Sequence, residues 1–390
     1  MHILVLDTIH GGREIATHLA AMGHVVEAVD VYRSTTPPQR DHYDRIVAPV
    51  HLDPDHPFLA IPAEKVITHH HAVAWVLEGK VPIPMVEITG ARGKTTTAHA
   101  LASLMPGPGI LHTSRGTFRY PEGTLLWRRS ITPASVIPAA IAAMEMRGWL
   151  IAEESLGISG SGELAILTSL EDYPIAAKKR RALGAKQESC MGAKRLITPG
   201  VVGLPYEIPV RDVVRIDGTA CTCRWRDATW TFSNPLLRTR GYRQPLALAA
   251  AAACLLGIDP TPLGNFTALE GRMAVRMEGT TVIVDSANSG VDGERTIDAA
   301  RHAREVRGDP RLTLVIGEES HTVCEGFGVE EMEKALLAIK PTQVVLVGER
   351  AAALQAQLHA PRVATLAEGY RLAKELTRDG SIVLAVKMWR

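Results

Sequence analysis

The 390-residue chain is 46% hydrophobic and carries 43 Lys and Arg against 42 Asp and Glu, a net charge of +1. That apolar content is enough for two or three packed cores, and the balanced charge argues against a global field that recruits nucleic acid or membrane. Five cysteines (Cys190, Cys221, Cys223, Cys254 and Cys324) form an odd set without paired CxxC spacing, which argues against a disulfide framework or structural zinc and fits reduced thiols in a cytoplasm. The start, Met1 to Asp7, is too short and too acidic for a signal peptide, and no apolar run reaches membrane-spanning length.

In chain order, His2 to Leu6 reads as a buried strand, Gly12 to Met22 as a helix and Val25 to Val31 as a second strand, a βαβ opening. Its turn, Asp7-Thr-Ile-His-Gly-Gly-Arg13, lacks the spaced glycines of a dinucleotide fingerprint. His10 and Arg13 there are candidates either for a substrate carboxylate or for capping the turn. The run His69 to His71 reads as a solvated helix start rather than a nickel site, because consecutive helical residues diverge and cannot converge on one ion. Glu78 to Pro84, punctuated by Gly and Pro, is a linker.

Met85-Val-Glu-Ile-Thr-Gly-Ala-Arg-Gly-Lys-Thr-Thr-Thr97 is an apolar strand that breaks at Gly90, turns at Gly93 and opens a helix at Lys94. Such a loop turns its backbone N–H groups onto an anion at the positive end of the helix, with Lys94 reaching the terminal phosphates and the Thr95 hydroxyl able to ligate Mg²⁺. Thr89, Gly90, Arg92, Gly93, Lys94, Thr95 and Thr96 are therefore the predicted ATP contacts. Ile88 stands where the strict GxxxxGK[ST] pattern has its first glycine.

Arg115, Arg119, Arg128 and Arg129 cluster around Phe118, Tyr120 and Trp127. Guanidinium forks suit polycarboxylate recognition and the aromatic rings suit a flat ligand; a solvated hairpin is the alternative. Two buried-type strands follow, Trp149 to Ser155 ending in carboxylates and Leu164 to Ser169 ending in hydroxyls. Strand alternation aims Glu154 away from Glu153. Arg211 to Phe232 reads as antiparallel hairpins, and Ala247 to Leu256 as a buried helix. From about Pro260, strands at Val282 to Asp285, Leu312 to Ile316, Val344 to Val347 and Ile382 to Val386 alternate with helices.

Several of these segments together resemble the Mur ligase family, ATP-dependent enzymes that activate a carboxylate as an acyl phosphate. The carriers are Thr89 to Thr97, Glu171-Asp-Tyr173, Ala182 to Glu188, Gly241 to Pro245, Glu270-Gly-Arg-Met273 and Val284 to Ser289. Thr113 to Thr117, Ser130 to Ala134 and Ala152 to Gly157 add a likeness to the branch of that family that closes the last ring of a nickel tetrapyrrole in methanogens.

The resemblance implies an α/β fold of three domains: a Rossmann-like substrate domain (1–82), a central P-loop ATPase domain (83–260) and a Rossmann-like C-terminal domain (261–390). Glu153 is then the ligand of a second Mg²⁺ and Lys186 the carbamylated lysine, with Lys178 the less favoured register and a solvated basic helix face the alternative for both. Gln244 lies near the adenine, Arg272 reaches ATP, and Asp285 holds the ribose with Asn288 in place of a histidine. Tyr173 replaces a metal-binding histidine, which weakens that second site. The implied catalytic set is Lys94, Glu153, Lys186 and Arg272, with Thr95, Glu153 and Lys186 at the metal and His10, Arg13 and the four arginines at the substrate. The implied cofactors are ATP and Mg²⁺, and the implied substrate is a nickel-containing tetrapyrrole polycarboxylate, cyclised internally. An amide ligase adding an external amine, and an ATP-driven nickel or tetrapyrrole chaperone, are the competing readings.

Overall fold

The computed structural model describes residues 1–33, 42–60, 62–319, 326–377 and 379–388; Cys324 lies outside them. The chain forms two compact units, one of Met1–Asn234 with Gln244–Gly264, the other of Pro235–Arg243 with Asn265–Arg390.

The first unit opens with β1 (His2–Leu6), α1 (Gly12–Ala21), β2 (Val25–Val29), β3 (Arg45–Ala48), β4 (Val66–Thr68) and α2 (His69–Val76). The strands make a parallel sheet in the order β2-β1-β3-β4. β1 is buried along most of its length, whereas β2 is an edge strand with partly exposed residues, so it stops at Val29 instead of running to Val31.

The histidine run begins α2, as expected, with the Thr68 hydroxyl accepting the His71 N–H at 3.1 Å. It is not solvated: His69 and His70 are each 2% exposed. Their Nε2 atoms lie 2.9 and 3.0 Å from the carbonyls of Leu6 and Ser155, and those two hydrogen bonds let the imidazoles be buried in neutral form.

Next come β5 (Met85–Thr89), α3 (Lys94–Ala102), β6 (Gly109–Thr113), β7 (Gly116–Tyr120), β8 (Thr124–Trp127), α4 (Val136–Glu145), β9 (Trp149–Glu153), β10 (Leu164–Leu167), the short pair β11 (Pro174–Ile175) and β12 (Arg180–Arg181), α5 (Ala182–Cys190), β13 (Leu196–Thr198) and β14 (Glu207–Pro209). Eight of these strands form one sheet, β14-β13-β10-β5-β9-β6-β7-β8, parallel except at β7 and β8. β5 is central and every residue of it is buried, which explains its unbroken apolar pattern.

Ile3, Val5 and Leu19 share one apolar core with Met85, Ile110, Val136 and Leu150, so the small sheet and the large one pack as a single unit. β15 (Val214–Asp217), β16 (Ala220–Trp225) and β17 (Ala228–Ser233) are the expected antiparallel hairpins, and the alanine-rich part of α6 (Arg240–Leu255) is buried.

The second unit contains β18 (Ala274–Glu278), β19 (Thr281–Asp285), α7 (Gly293–Arg307), β20 (Leu312–Glu318), α8 (Val329–Ile339), β21 (Gln343–Val347), α9 (Ala352–Leu358), β22 (Arg362–Val363), α10 (Leu366–Leu376) and β23 (Ser381–Lys387). Its sheet runs β18-β19-β23-β20-β21-β22, with only β18 antiparallel. The four strands read from the sequence are its buried centre. The two edge strands escaped notice because β18 is largely exposed and charged and β22 is two residues long.

Candidate active site

The sheet order puts β5 between β9 and β10, so three carboxyl ends converge on one loop. This is the edge where parallel α/β sheets place ligands. Gly90 has φ 143° and Gly93 φ 83°, and a Cβ at Gly90 would collide with the Thr168 hydroxyl. Only glycine lets the backbone pass there. From β10's end, Ser169 Oγ accepts the N–H groups of Ala91 (2.9 Å) and Arg92 (3.1 Å), while Thr168 Oγ1 donates to Arg92 O at 2.5 Å. Gln244 donates its amide N–H to Thr168 O at 2.7 Å, so the residue expected near adenine is anchored on the same strand end.

Lys94 and Thr95 open α3. Lys94 Nζ donates to Gly90 O at 3.0 Å and stands 3.8 Å from Glu153 Oε1. The Thr95 hydroxyl donates to Glu153 Oε2 at 2.8 Å and lies 3.2 Å from Ser114 Oγ, and the Ser114 N–H reaches the same Oε2 at 3.1 Å. Glu153 and Thr95 are only 2% and 3% exposed. Thr95 and Glu153, expected at two separate metal positions, are thus in direct contact. Two hydroxyls and a carboxylate converge as hard oxygen donors, a set that fits a divalent cation of the Mg²⁺ or Mn²⁺ type.

Glu154 points elsewhere, as alternation required. It is fully buried, and burial first, then the nearby Glu87, push its carboxyl well above the ordinary range, which favours the neutral form. Glu87 accepts hydrogen bonds from Ser159 and from the N–H groups of Gly160 and Gly162, tying down the loop after β9.

Lys186 is 0% exposed on α5, with Nζ 3.4 Å from the Tyr173 hydroxyl and 4.6 Å from the centre of its ring. The tyrosine that replaces the family's histidine is thus a direct neighbour of this lysine. Lys178 is exposed, with φ 68°. Asp172 caps α5 through the Leu183 N–H (2.9 Å), and Glu171 pairs with Arg92 at 2.5 Å.

Of the four candidate arginines, Arg115 lies in the β6–β7 turn and is partly exposed, Arg119 is exposed on β7, and Arg128 is exposed beyond β8. Arg129 pairs with Glu14 of α1 at 2.8 Å. The aromatic residues do not form an open platform: Phe118 packs edge-on to His99 and Tyr120 against Trp149, with ring centres 5.8 and 5.4 Å apart. His10 stands beside Asp7, and Arg13 is exposed at the start of α1.

In the second unit, Asp285 ends β19 at 2% exposure and Arg276 Nη1 approaches it to 3.8 Å. Tyr242 donates its hydroxyl to Arg272 O at 2.5 Å, which fixes that turn. Asn288, expected at the nucleotide, is engaged within its own loop. Its Nδ2 donates to Gly271 O (2.7 Å) and Ser286 O (3.0 Å), and its Oδ1 accepts the Gly290 N–H (2.8 Å), so both amide N–H groups are spent holding the loop.

Ser114, Thr168 and Ser169 were absent from the residues expected at the loop. The one signal for them was the position of Thr168 and Ser169 at a strand end and of Ser114 in a Thr-Ser-Arg-Gly turn.

Solved structures with this architecture include MurF from Acinetobacter baumannii (14% identity, TM-score 0.56, covering 84% of this chain and 80% of that one). Another is the bifunctional folylpolyglutamate synthase/dihydrofolate synthase of Yersinia pestis (14% identity, TM-score 0.59, covering 83% and 92%), also solved with AMPPNP and a Mn ion. The fold is thus of Mur ligase-like architecture, with a phosphate loop at the end of its central strand.

Across its full length the chain is 31% identical to the coenzyme F(430) synthetase of Methanosarcina acetivorans, covering 98% of that protein. It is 22% identical to the one from Methanocaldococcus jannaschii, covering 99% of each. The family description "Coenzyme F430 synthetase CfbE, C-terminal domain" matches residues 275–388. The chain belongs to the coenzyme F430 synthetase family.

Proposed function

We propose that the protein activates a propionate carboxylate of a nickel tetrapyrrole, the seco-F430 acid, with ATP and closes the final carbocyclic ring, releasing ADP and phosphate. The observation that carries this reading is the convergence of Lys94, Thr95, Ser114 and Glu153 at the phosphate loop in a chain that matches coenzyme F430 synthetases end to end.

In the first step a carboxylate oxygen attacks the γ-phosphorus and ADP leaves, forming an acyl phosphate. In the second a carbon of the same macrocycle attacks the acyl carbon and loses its proton, a C–C bond forms and phosphate departs, so the net change is loss of water. No enzyme nucleophile is required. Lys94 and the loop N–H groups hold the phosphates and offset the charge that spreads over them. Mg²⁺, held by Thr95 and Glu153, would neutralise phosphate charge at the same place. Lys186 as a carbamate would add oxygen donors, and Arg272 and Asp285 are assigned to phosphate and ribose by the resemblance.

Holding the activated arm against its own ring raises effective concentration to as much as about 10⁵–10⁸ M, which lets a weak carbon nucleophile compete with water. Arg115, Arg119 and Arg128 supply charge for the remaining carboxylates. The domain limits proposed are 1–82, 83–260 and 261–390, and the setting proposed is the cytoplasm. In support of the latter, the four described cysteines are free and buried, and no helix among the described residues is long and apolar enough to cross a membrane.

The test is incubation with the seco acid and ATP in the absence of any amine, followed by mass spectrometry. A product lighter by one water, with equimolar ADP and phosphate, is expected. A product heavier by an added amine, or turnover only when an amine is present, overturns ring closure in favour of amide formation. ATP hydrolysis without covalent change overturns the ligase reading.

A further inference from the structure

The carboxyl edge of the small sheet carries a second polar cluster that the phosphate loop does not use. Asp7 ends the β1 segment, His10 lies in the following turn, Tyr32 follows β2 and His51 follows β3. These strands are neighbours in the sheet, so three separate loops deliver side chains to one point on its ligand-binding edge.

Asp7 is fully buried and adopts φ 66°, a left-handed conformation uncommon for a residue with a Cβ. One of its oxygens accounts for the turn: Oδ1 accepts the N–H groups of Ile9 (3.1 Å) and His10 (3.0 Å). The other oxygen is left to face side chains. Oδ2 lies 2.7 Å from His10 Nδ1, 3.2 Å from His51 Nε2 and 3.4 Å from the Tyr32 hydroxyl. That hydroxyl is also 3.1 Å from His51 Nε2. The two imidazole rings stand edge to face, with centres 5.0 Å apart.

His10 and Tyr32 hydrogen-bond to Oδ2, and the His51 Nε2 atom approaches the same oxygen as a third group. Turn-capping needs only Oδ1. The donor atoms of Asp7, His10 and His51 all lie within 4.8 Å of one another. Around an ion with bonds of about 2.0–2.1 Å, adjacent donors stand about 2.9 Å apart in octahedral and about 3.4 Å apart in tetrahedral coordination. The observed 2.7 and 3.2 Å fall close to those edges.

Two imidazoles and one carboxylate make a borderline donor set that favours Ni²⁺, Zn²⁺ or Co²⁺ over the hard cations suited to Thr95 and Glu153. His10 and His51 are 46% and 33% exposed, which leaves one side of the cluster open.

We propose that Asp7, His10 and His51 bind one divalent transition-metal ion, with its remaining coordination positions open to water or to a carboxylate of the substrate. This site is separate from the phosphate loop and does not depend on which ring or bond the enzyme closes.

The test uses the full-length, untagged protein. Equilibrium dialysis against Ni²⁺, Zn²⁺ or Mg²⁺, each alone, with metal quantified by mass spectrometry, is run on wild type, His10→Ala, His51→Ala and Asp7→Asn. Thr95→Ala serves as a control for the other site. Expected is one tight Ni²⁺ or Zn²⁺ per chain, weakened about a hundredfold by each of the three cluster substitutions, unchanged by Thr95→Ala and not replaced by Mg²⁺. Cobalt substitution should give visible d–d bands in wild type that both histidine variants lose. Because both histidines are partly exposed, their variants should keep the wild-type circular dichroism and melting temperature even if Asp7→Asn does not fold. Absence of a tight site, or wild-type affinity in either histidine variant, overturns the assignment and leaves the cluster a hydrogen-bonded turn.

Discussion

The Thr95 hydroxyl donates to Glu153 Oε2 at 2.8 Å, joining the first turn of the phosphate-loop helix to the end of the adjacent strand. Its members come from segments 58 residues apart, and in the proposed function they would hold the divalent cation. Removing either should act on the metal before it acts on nucleotide affinity. Thr95→Val and Glu153→Gln are each expected to raise the Mg²⁺ concentration needed for half-maximal ATP turnover about tenfold. The double variant should show a coupling of about 0.5–3 kcal/mol. Fully additive losses across Mg²⁺ titrations of the four proteins would mean the two residues serve separate functions.

Lys94→Ala is expected to lower ATP turnover by about a hundredfold or more, since one preorganised cation at the phosphates is lost. Lys94 is a partly exposed residue at the start of α3 whose amine donates to Gly90 O and lies 3.8 Å from Glu153 Oε1, so the melting temperature should change little. Steady-state turnover beside differential scanning calorimetry checks both halves.

Arg115→Ala or Arg119→Ala should raise KM for a polycarboxylate substrate about ten- to a hundredfold while leaving KM for ATP near wild type. Each removes a charge-assisted contact worth about 1.5–3 kcal/mol. Kinetics with both substrates varied provide the check. A selective rise in KM for ATP would reassign the turn to the nucleotide.

Lys186 buries its amine against Tyr173, in the position that the resemblance gives to a carbamylated lysine. Carbamylation would make that position an anionic oxygen donor, so ¹³C-labelled bicarbonate should give a carbamate carbonyl resonance in wild type and none in Lys186→Ala. Acetate or bicarbonate should restore part of the activity that variant loses. A wild-type spectrum without the resonance counts against the modification.

Stability should fall as pH drops below neutrality. Burial lowers His69 and His112 to about 4 and His70 to about 3, against an ordinary value of 6.5. Between those limits the unfolded chain binds protons that the folded protein refuses, so ∂ΔG(unfolding)/∂pH is positive. The stability is present above about pH 6.5 and is lost progressively toward pH 4, each histidine contributing about 1.4 kcal/mol per pH unit within its window. Melting curves from pH 7.5 to 4.5 should steepen downward, and His112→Gln should reduce the slope. Glu154 has the opposite sign: its raised carboxyl costs stability as pH rises above about 4.5, so Glu154→Gln should flatten the neutral side of the profile.

The phosphate loop, the buried parallel strands and the antiparallel hairpins were determined by sequence alone, because each rests on local rules. Glycines fix a turn, a terminal Lys-Thr marks a helix opening onto phosphate, and unbroken or alternating apolar runs report whether both faces or one face of a strand are covered. Only the tertiary structure decided which strands stand beside β5, and the site depends on that order. Ser114, Thr168 and Ser169 come to the loop because β10 and β9 flank β5 and β6 lies beside β9, in a sheet whose sequence order is shuffled. The same reason hides the burial of His69 and His70, the pairing of Lys186 with Tyr173 and the meeting of Asp7, His10 and His51. Each joins residues brought together by packing between separate segments, and a periodicity along one segment carries no information about the partner that covers it.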